Sequence, residues 1–382
     1  VPLGQRKENR PMRFKVAQDD LASALQSVQR AAASRPAVPV LAGILVETQQ
    51  ERLALTATDQ EIGTRVVLPA TVAEEGAFVF PSRLGDIVRK IPFGEIAFEV
   101  DPGANTATIS WERSRFVIHG YPASEFPRLP EPPVGNSVTL PKGQLRRLIQ
   151  QTGFAVSHDE SRPVFTGVLV VLADRTLRLV ATDGFRLALA EGSVDSVEGT
   201  PRSEVIVPGR ALLEVARILG DDGDGTVRVS VAENRAFFET ARERVVSRLI
   251  EGQFPPYKQV IPQQFVTRLT CTTVEFLQSC ERASLIAHEV GQAVRLHVAG
   301  TELVICASKP ELGNVREEIP AETQGDSLEI AFNPRYLIDG LRCIPTERMV
   351  YEFTGPLSPS CMRPSEAESG SFLYIILPMR VS

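Results

Sequence analysis

Apolar and polar residues alternate with period two through most of this chain, and the alternation is interrupted at regular intervals by short stretches of helical period. After Met12, Arg13-Phe14-Lys15-Val16 reads as a strand, and Asp19 and Asp20 then open a helix with Leu21, Leu25 and Val28 on one face. The same order follows Ser137-Val138-Thr139-Leu140, where Leu145, Leu148 and Ile149 form the helical stripe, and again follows Arg268-Leu269-Thr270, with Phe276, Leu277 and Cys280. A second strand-to-helix step recurs as Phe78-Val79-Phe80-Pro81-Ser82-Arg83, Val205-Ile206-Val207-Pro208-Gly209-Arg210 and Ile330-Ala331-Phe332-Asn333-Pro334-Arg335. Proline or a turn residue stops each strand, and proline is tolerated in a first helical turn because that N–H would be unpaired anyway. The helices are expected at Leu84 to Ile91, Ala211 to Leu219 and Tyr336 to Ile344. Alternating strands over Ala107 to Ile118, Ala236 to Leu249, and Met349 to Phe353 with Phe372 to Leu377 close the copies.

The turns repeat as well. Val180-Ala181-Thr182-Asp183-Gly184-Phe185-Arg186-Leu187-Ala188 carries Asp-Gly between two apolar runs, which predicts a two-residue hairpin turn with positive φ at both residues. Thr56-Ala57-Thr58-Asp59-Gln60-Glu61 repeats it, and Ile305-Cys306-Ala307-Ser308-Lys309-Pro310 is a worn third version. Linkers fall at the proline-rich Pro127 to Pro133 and at Pro262-Gln263-Gln264. The division is therefore 12–133, 134–262 and 263–382, three copies of an α+β unit, each with two β-α-β halves and mostly antiparallel strands. Val1 to Pro11 has no periodic pattern and is left outside the fold, as a disordered extension or an expression remnant, with Met12 a plausible native start.

Composition narrows the function classes. The 382 residues carry a net charge of −6, which disfavours a general nucleic-acid coat but leaves local distribution open. No apolar run approaches the ~18 residues that cross a bilayer and no signal peptide precedes the fold, so the cytoplasm is expected. The five cysteines include no C-x-x-C pair and the four histidines are scattered, which argues against disulfides and zinc. No cofactor is expected. P-loop, H-E-x-x-H and G-x-S-x-G motifs are absent. Asp59 and Asp183 recur, but Ser308 replaces them in the third copy, so turn chemistry accounts for them better than catalysis. Asp221-Asp222-Gly223-Asp224-Gly225 begins like a calcium loop, yet its twelfth position is Ala232, and it reads as a polar hairpin.

Basic residues repeat in register. Arg83, Arg210 and Arg335 share one position, and seven residues on stand Lys90, Arg217 and Arg342, two turns along one helix face. The other helix class adds Arg30 with Arg35 beyond it, Lys142, Arg146 and Arg147, and Arg282. Arranged about an axis, these faces would form a phosphate-binding surface that contacts a nucleic-acid backbone without sequence choice. Acidic protein partners, or solvated helix faces, remain alternatives. Neither an aromatic stacking platform nor a helix-turn-helix accompanies them.

Taken together, Ala181 to Ala188, Gly252-Gln253-Phe254-Pro255-Pro256-Tyr257, the end Tyr374-Ile375-Ile376-Leu377-Pro378-Met379-Arg380 and the threefold repeat resemble the bacterial replicative sliding clamp, the beta subunit of DNA polymerase III, across Met12 to Val381. The resemblance implies a head-to-tail homodimer, a ring of six similar domains around double-stranded DNA, and a processivity factor without catalysis. DNA contacts are then expected from Arg35, Arg83, Lys90, Lys142, Arg146, Arg210, Arg217, Arg335 and Arg342. It further implies a pocket for short apolar peptides of the polymerase III catalytic subunit, the clamp loader, other polymerases and repair proteins. Matching positions are Phe165, Thr182, Gly184, Phe185, Arg186, Leu187, Pro255, Val260, Leu357, Pro359, Ile375, Leu377, Pro378, Met379 and Arg380. For ring closure they are Arg113, Arg115, Phe116 and Ile118 in the first copy and Leu285, Ile286, Glu317 and Glu318 in the third. Phe185 stands where many members have histidine and Gln259 where many have a basic residue, which shifts the expected peptide preference toward larger apolar side chains. A protein-binding scaffold that never meets DNA, and a nucleic-acid enzyme with an unrecognised site, are the competing readings.

Overall fold

The computed structural model describes residues 10–33, 36–201, 203–220, 224–287, 293–365 and 372–380. Most of the leader, Arg35, the start of the polar hairpin at 221–223, His288, and Val381 with Ser382 lie outside these. Six α-helices are described: α1 (Gln18–Gln29), α2 (Leu84–Val88), α3 (Lys142–Thr152), α4 (Gly209–Leu219), α5 (Thr273–Ile286) and α6 (Pro334–Leu341). Every described strand pairing is antiparallel, so the expected β-α-β halves are strand-helix-strand segments of antiparallel sheet and not parallel crossovers.

The chain forms two compact units. Unit 1 comprises residues 1–142, 197–201 and 214–249, and holds two sheets. The smaller is ordered Thr71–Glu74, Met12–Ala17, Glu95–Asp101, Thr106–Trp111, Ser114–His119. The larger has ten strands, in the order Tyr121–Pro122, Ala77–Pro81, Gly43–Gln49, Arg52–Thr58, Ile62–Pro69, Glu243–Arg248, Arg235–Glu239, Thr226–Ala232, Ser137–Pro141, Ser196–Glu198. Its continuity rests on one joint, Ile62–Pro69 against Glu243–Arg248, where Gly63 opposes Val246 and Arg65 opposes Arg244. The period-two residues Phe14, Phe80 and Phe98 meet in the core, with Phe14 and Phe98 stacked at 4.7 Å and Phe80 edge-on to Phe98 at 5.8 Å. Leu21, Leu25 and Val28 of α1 are buried in that core, as the helical spacing required.

Unit 2 comprises residues 143–196, 202–213 and 250–382. Its twelve strands run Glu204–Pro208, Gly167–Ala173, Thr176–Thr182, Arg186–Ser193, Phe372–Ile376, Ser360–Pro364, Arg348–Phe353, Thr267–Thr272, Gly313–Gly325, Glu302–Lys309, Val294–Ala299, Leu328–Phe332. The joint here is Arg186–Ser193 against Phe372–Ile376, with Leu187 opposite Ile375. Fully buried Tyr351 packs among Phe276, Phe332 and Phe353, and its hydroxyl is satisfied by Ser360 Oγ at 3.0 Å. Both large sheets thus pair strands from neighbouring copies.

Three helices differ in extent from expectation. α2 ends at Val88 instead of Ile91: Lys90 N and Ile91 N bond to Ile87 O and Val88 O, so the chain continues in three-residue turns toward Pro92, which disfavours helix in the residue before it. α4 begins two residues early at Gly209, and α6 spans Pro334–Leu341, with the Asn333 side chain accepting the Arg335 amide at 3.0 Å as N-cap.

A candidate partner cleft and the charged helix ends

The turn at Asp183 is longer than a two-residue hairpin. Thr182 pairs with Leu187, which leaves four residues between them, and positive φ falls on Gly184 alone (+96°). Asp183 instead organises the loop as an acceptor: Oδ1 takes the amides of Phe185 (2.9 Å) and Arg186 (3.1 Å), and Oδ2 takes Arg186 Nε at 3.0 Å. Thr182 Oγ1 donates to Arg186 O at 2.7 Å and accepts the Gly184 amide at 3.1 Å. Two hydroxyl and carboxylate side chains therefore hold the loop that presents Phe185 to solvent, 59% exposed.

Arg186 is buried beneath that loop. Its Nη1 donates to Asp339 Oδ2 of α6 at 2.7 Å, its Nη2 to Phe154 O at 2.8 Å, and its guanidinium lies 4.5 Å from the Tyr336 ring centroid. Burial by itself pulls an arginine pKa down, but Tyr374, Asp339 and Asp183 outweigh it and hold this one above its ordinary value. The same burial raises the Tyr374 phenol, which stays protonated and donates to Tyr336 O at 3.0 Å.

Above the joint lies a cleft of about 210 Å³ lined by Phe165, Thr182, Gly184, Phe185, Arg186, Leu187, Pro255, Tyr257, Val260, Ile375 and Leu377. Ten of the residues expected in a peptide pocket are brought together here. Leu357, Pro359, Pro378, Met379 and Arg380 are not part of this lining. Tyr257 is, and the resemblance did not single it out although it ends the Phe254-Pro255-Pro256-Tyr257 run. Its hydroxyl accepts from Arg178 Nη1 at 3.2 Å, so the ring offers an apolar face on a tethered polar tip. The backbone closes the site where Leu377 N donates to Phe185 O at 2.9 Å. Walls of this kind bury apolar side chains and offer few polar groups for orientation.

The basic residues are placed unevenly. Only Arg210 and Arg217 realise the two-turn spacing inside a helix, α4; Arg342 is the C-cap of α6, while Arg83 and Lys90 flank the short α2. Arg83, Lys90, Arg210, Arg217, Arg335 and Arg342 are exposed, whereas Lys142 and Arg146 are half-buried. Several face acids of the chain itself: Arg217 pairs with Glu214, Arg335 lies 3.8 Å from Asp339, and Arg342 lies 2.7 Å from Glu281. Such exposed pairs are weak and exchange readily for other anions.

Arg113, Arg115, Phe116 and Ile118 lie on or beside the edge strand Ser114–His119, where Phe116 is 46% exposed and stacks on Trp111 at 5.3 Å. In unit 2, Gly313–Gly325 pairs over 313–320 with Glu302–Lys309 and over 321–325 with Thr267–Thr272, so the other side of its first half has no described partner strand. Glu317 and Glu318 sit on that half, and Leu285, 67% exposed, and Ile286 end α5. Glu317 already accepts from Arg282 at 2.6 and 2.8 Å, and Glu318 pairs with Arg316 at 2.6 Å. Among the described residues, no three His, Cys, Asp or Glu side chains could hold a metal ion, and no helix is long and apolar enough to cross a membrane.

The fold and the apolar cleft define a binding protein of repeated α+β units. Models of the DNA polymerase III beta subunit match it throughout: the N-terminal domain over residues 12–130, the central domain over 139–256 and the C-terminal domain over 258–380. The beta sliding clamp of Staphylococcus epidermidis is 32% identical over 380 residues, covering 97% of this chain and 99% of the relative. Among solved structures, the DNA polymerase sliding clamp of Bacillus subtilis matches with a TM-score of 0.91 and 32% identity over 98% of this chain and all of the other. That of Pseudomonas aeruginosa, solved bound to griselimycin, matches at 0.89 and 29% over 97% of this chain and all of the other. The chain belongs to the bacterial beta sliding clamp family, the processivity factors of DNA polymerase III, and is an accessory subunit without catalysis.

Proposed function

We propose that two copies of this chain, each of three repeats at 12–133, 134–262 and 263–382, close head to tail around duplex DNA in the cytoplasm. The cleft on the Leu187–Ile375 pair then holds short apolar segments of the polymerase III catalytic subunit, the clamp loader, other polymerases and repair proteins. Arg83, Lys90, Lys142, Arg146, Arg210, Arg217, Arg335 and Arg342 meet the phosphates, and weak, exchangeable contacts of this kind permit sliding because they read no bases. Closure joins the edge strand carrying Phe116 to the open half of Gly313–Gly325, where two unpaired edges satisfy one another.

The observation that carries this reading is the cleft itself: an apolar floor of Leu187, Ile375 and Leu377, held rigid from below by Arg186. Burying one leucine there contributes roughly 1.5–3 kcal/mol. The test is fluorescence anisotropy of a labelled five-residue peptide with apolar ends. Leu187→Asp is expected to weaken binding at least about tenfold, since a tenfold change is about 1.4 kcal/mol; equal binding by both proteins would refute the assignment. Phe185 predicts tighter binding of peptides ending in large apolar side chains than of peptides with acidic tips, and equal affinities would count against that preference.

A further inference from the structure

The cleft of unit 2 has a counterpart in unit 1 built on the same backbone plan. Thr58 Oγ1 donates to Ile62 O at 2.8 Å, as Thr182 does to Arg186 O. Asp59 Oδ1 accepts the amides of Glu61 (3.0 Å) and Ile62 (2.8 Å), and Gln60 takes φ +75° where Gly184 has +96°. Gly63 pairs with Val246 as Leu187 pairs with Ile375, and Arg248 N donates to Glu61 O at 2.9 Å as Leu377 N does to Phe185 O. Over this joint lies the linker Phe126-Pro127-Arg128-Leu129, the counterpart of Phe254-Pro255-Pro256-Tyr257, and a cleft of about 180 Å³ results.

The linings are opposite in character. Glu61 replaces Phe185, Arg248 replaces Leu377 and Arg128 replaces Pro256. Gly63 lacks the side chain of Leu187, and Leu129 of the linker fills the space: a Cβ on Gly63 would collide with Leu129 Cδ2. The slot that could take a partner's apolar side chain is therefore occupied by the chain itself. What remains are three guanidiniums, Arg128, Arg235 and Arg248, against the single carboxylate of Glu61. Arg235 and Arg248 stand directly opposite one another on neighbouring strands, an arrangement that costs stability unless anions lie close. Glu61 approaches Arg248 to 3.2 Å and Glu233 approaches Arg235 to 3.8 Å, while Arg128 is exposed.

We propose that this cleft is a second docking site, which takes an acidic peptide segment whose carboxylates are held by Arg128, Arg235 and Arg248. Charge complementarity favours a peptide over nucleic acid. A duplex is a rigid cylinder with its phosphates on the outside and cannot enter a cleft of about 180 Å³ beside Glu61, whereas the side-chain carboxylates of an extended peptide can. Charge-assisted bonds to guanidinium provide the affinity, and the exposed rim makes it salt-sensitive.

The test is anisotropy of a fluorescein-labelled hexa-aspartate peptide with the full chain at low and raised salt. Saturable binding that weakens with salt is expected, reduced about tenfold in Arg128→Gln with Arg248→Gln, a loss of the size that removing charged hydrogen bonds gives. Phe185→Ala in unit 2 and Arg210→Gln on α4 should leave it unchanged. The single variant Arg128→Gln, at an exposed linker position, should show a smaller loss with an unaltered thermal melt. Absence of saturable binding, an equal loss in Arg210→Gln, or a double variant that loses duplex DNA retention but not peptide would each overturn the proposal.

Discussion

Arg186 and Asp339 are bonded at 2.7 Å across 153 residues of sequence, tying the loop that presents Phe185 to the helix α6. Arg186 is 6% exposed and answers two carboxylates, a carbonyl and two aromatic rings. Removing one partner of a buried pair leaves the others uncompensated, at about 3–5 kcal/mol. Arg186→Ala is accordingly expected to lower the denaturant midpoint of unit 2 and to speed amide exchange at Leu187 to Ala190, and Asp339→Asn to do so less. Wild-type exchange in Arg186→Ala would show that the bond carries no structural role.

Gly340 of α6 lies against buried Tyr374, and a Cβ there would run into the ring at Cδ1 and Cε1. Glycine inside a helix ordinarily costs about 1 kcal/mol relative to alanine, so Gly340→Ala would stabilise an isolated helix. Within this packing it should destabilise by about 1–3 kcal/mol, the usual penalty of overpacking. Thermal unfolding decides the sign.

Glu317 is held below its ordinary value of 4.5 by the hydrogen bond from Arg282, with Ser279 adding to it. A depressed carboxylate contributes its stability above the unfolded value and loses it as pH falls through the folded one. The Arg282–Glu317 link is thus intact at neutral pH and opens in acid. Carbon NMR of the Glu317 carboxyl should show Arg282→Ala returning its titration to the ordinary glutamate range; an unshifted curve would assign the depression to another cause.

Leu285 and Ile286 leave apolar surface at the end of α5, and Phe116 does so on the edge strand. Leu285→Ala with Ile286→Ala should weaken the dimer by about tenfold or more, from the apolar area lost at closure. Sedimentation velocity at low concentration measures it, and an unchanged monomer fraction would exclude these residues from the interface.

Much of this architecture is legible where the pattern is local. Leu145, Leu148 and Ile149 announce the buried face of α3, and the repeated Ala-Thr-Asp announces two equivalent loops. The joints are not legible, because Gly63 meeting Val246 and Leu187 meeting Ile375 depend on which copy's edge finds which, and no local period encodes that. The true form of the Asp183 turn was hidden because Asp-Gly suits both a two-residue hairpin and a longer loop capped by the aspartate. Tyr257 follows Pro255 by two residues, and nothing in the sequence separates a cleft-lining tyrosine there from an ordinary core one. The acids facing the basic helix ends were within reach, since Glu214 precedes Arg217 by three residues and Asp339 follows Arg335 by four, the spacing of neighbours on a helix face. Glu281 opposite Arg342 was not, since it comes from another helix.

The ring is tested most directly by loading the full chain with its clamp loader onto circular and linear duplexes of equal length and then raising the salt. A topologically linked clamp is predicted to stay on the circle and to run off the linear ends, because counterion return weakens only the phosphate contacts. Equal loss from both would contradict the account and leave an electrostatic binder in its place.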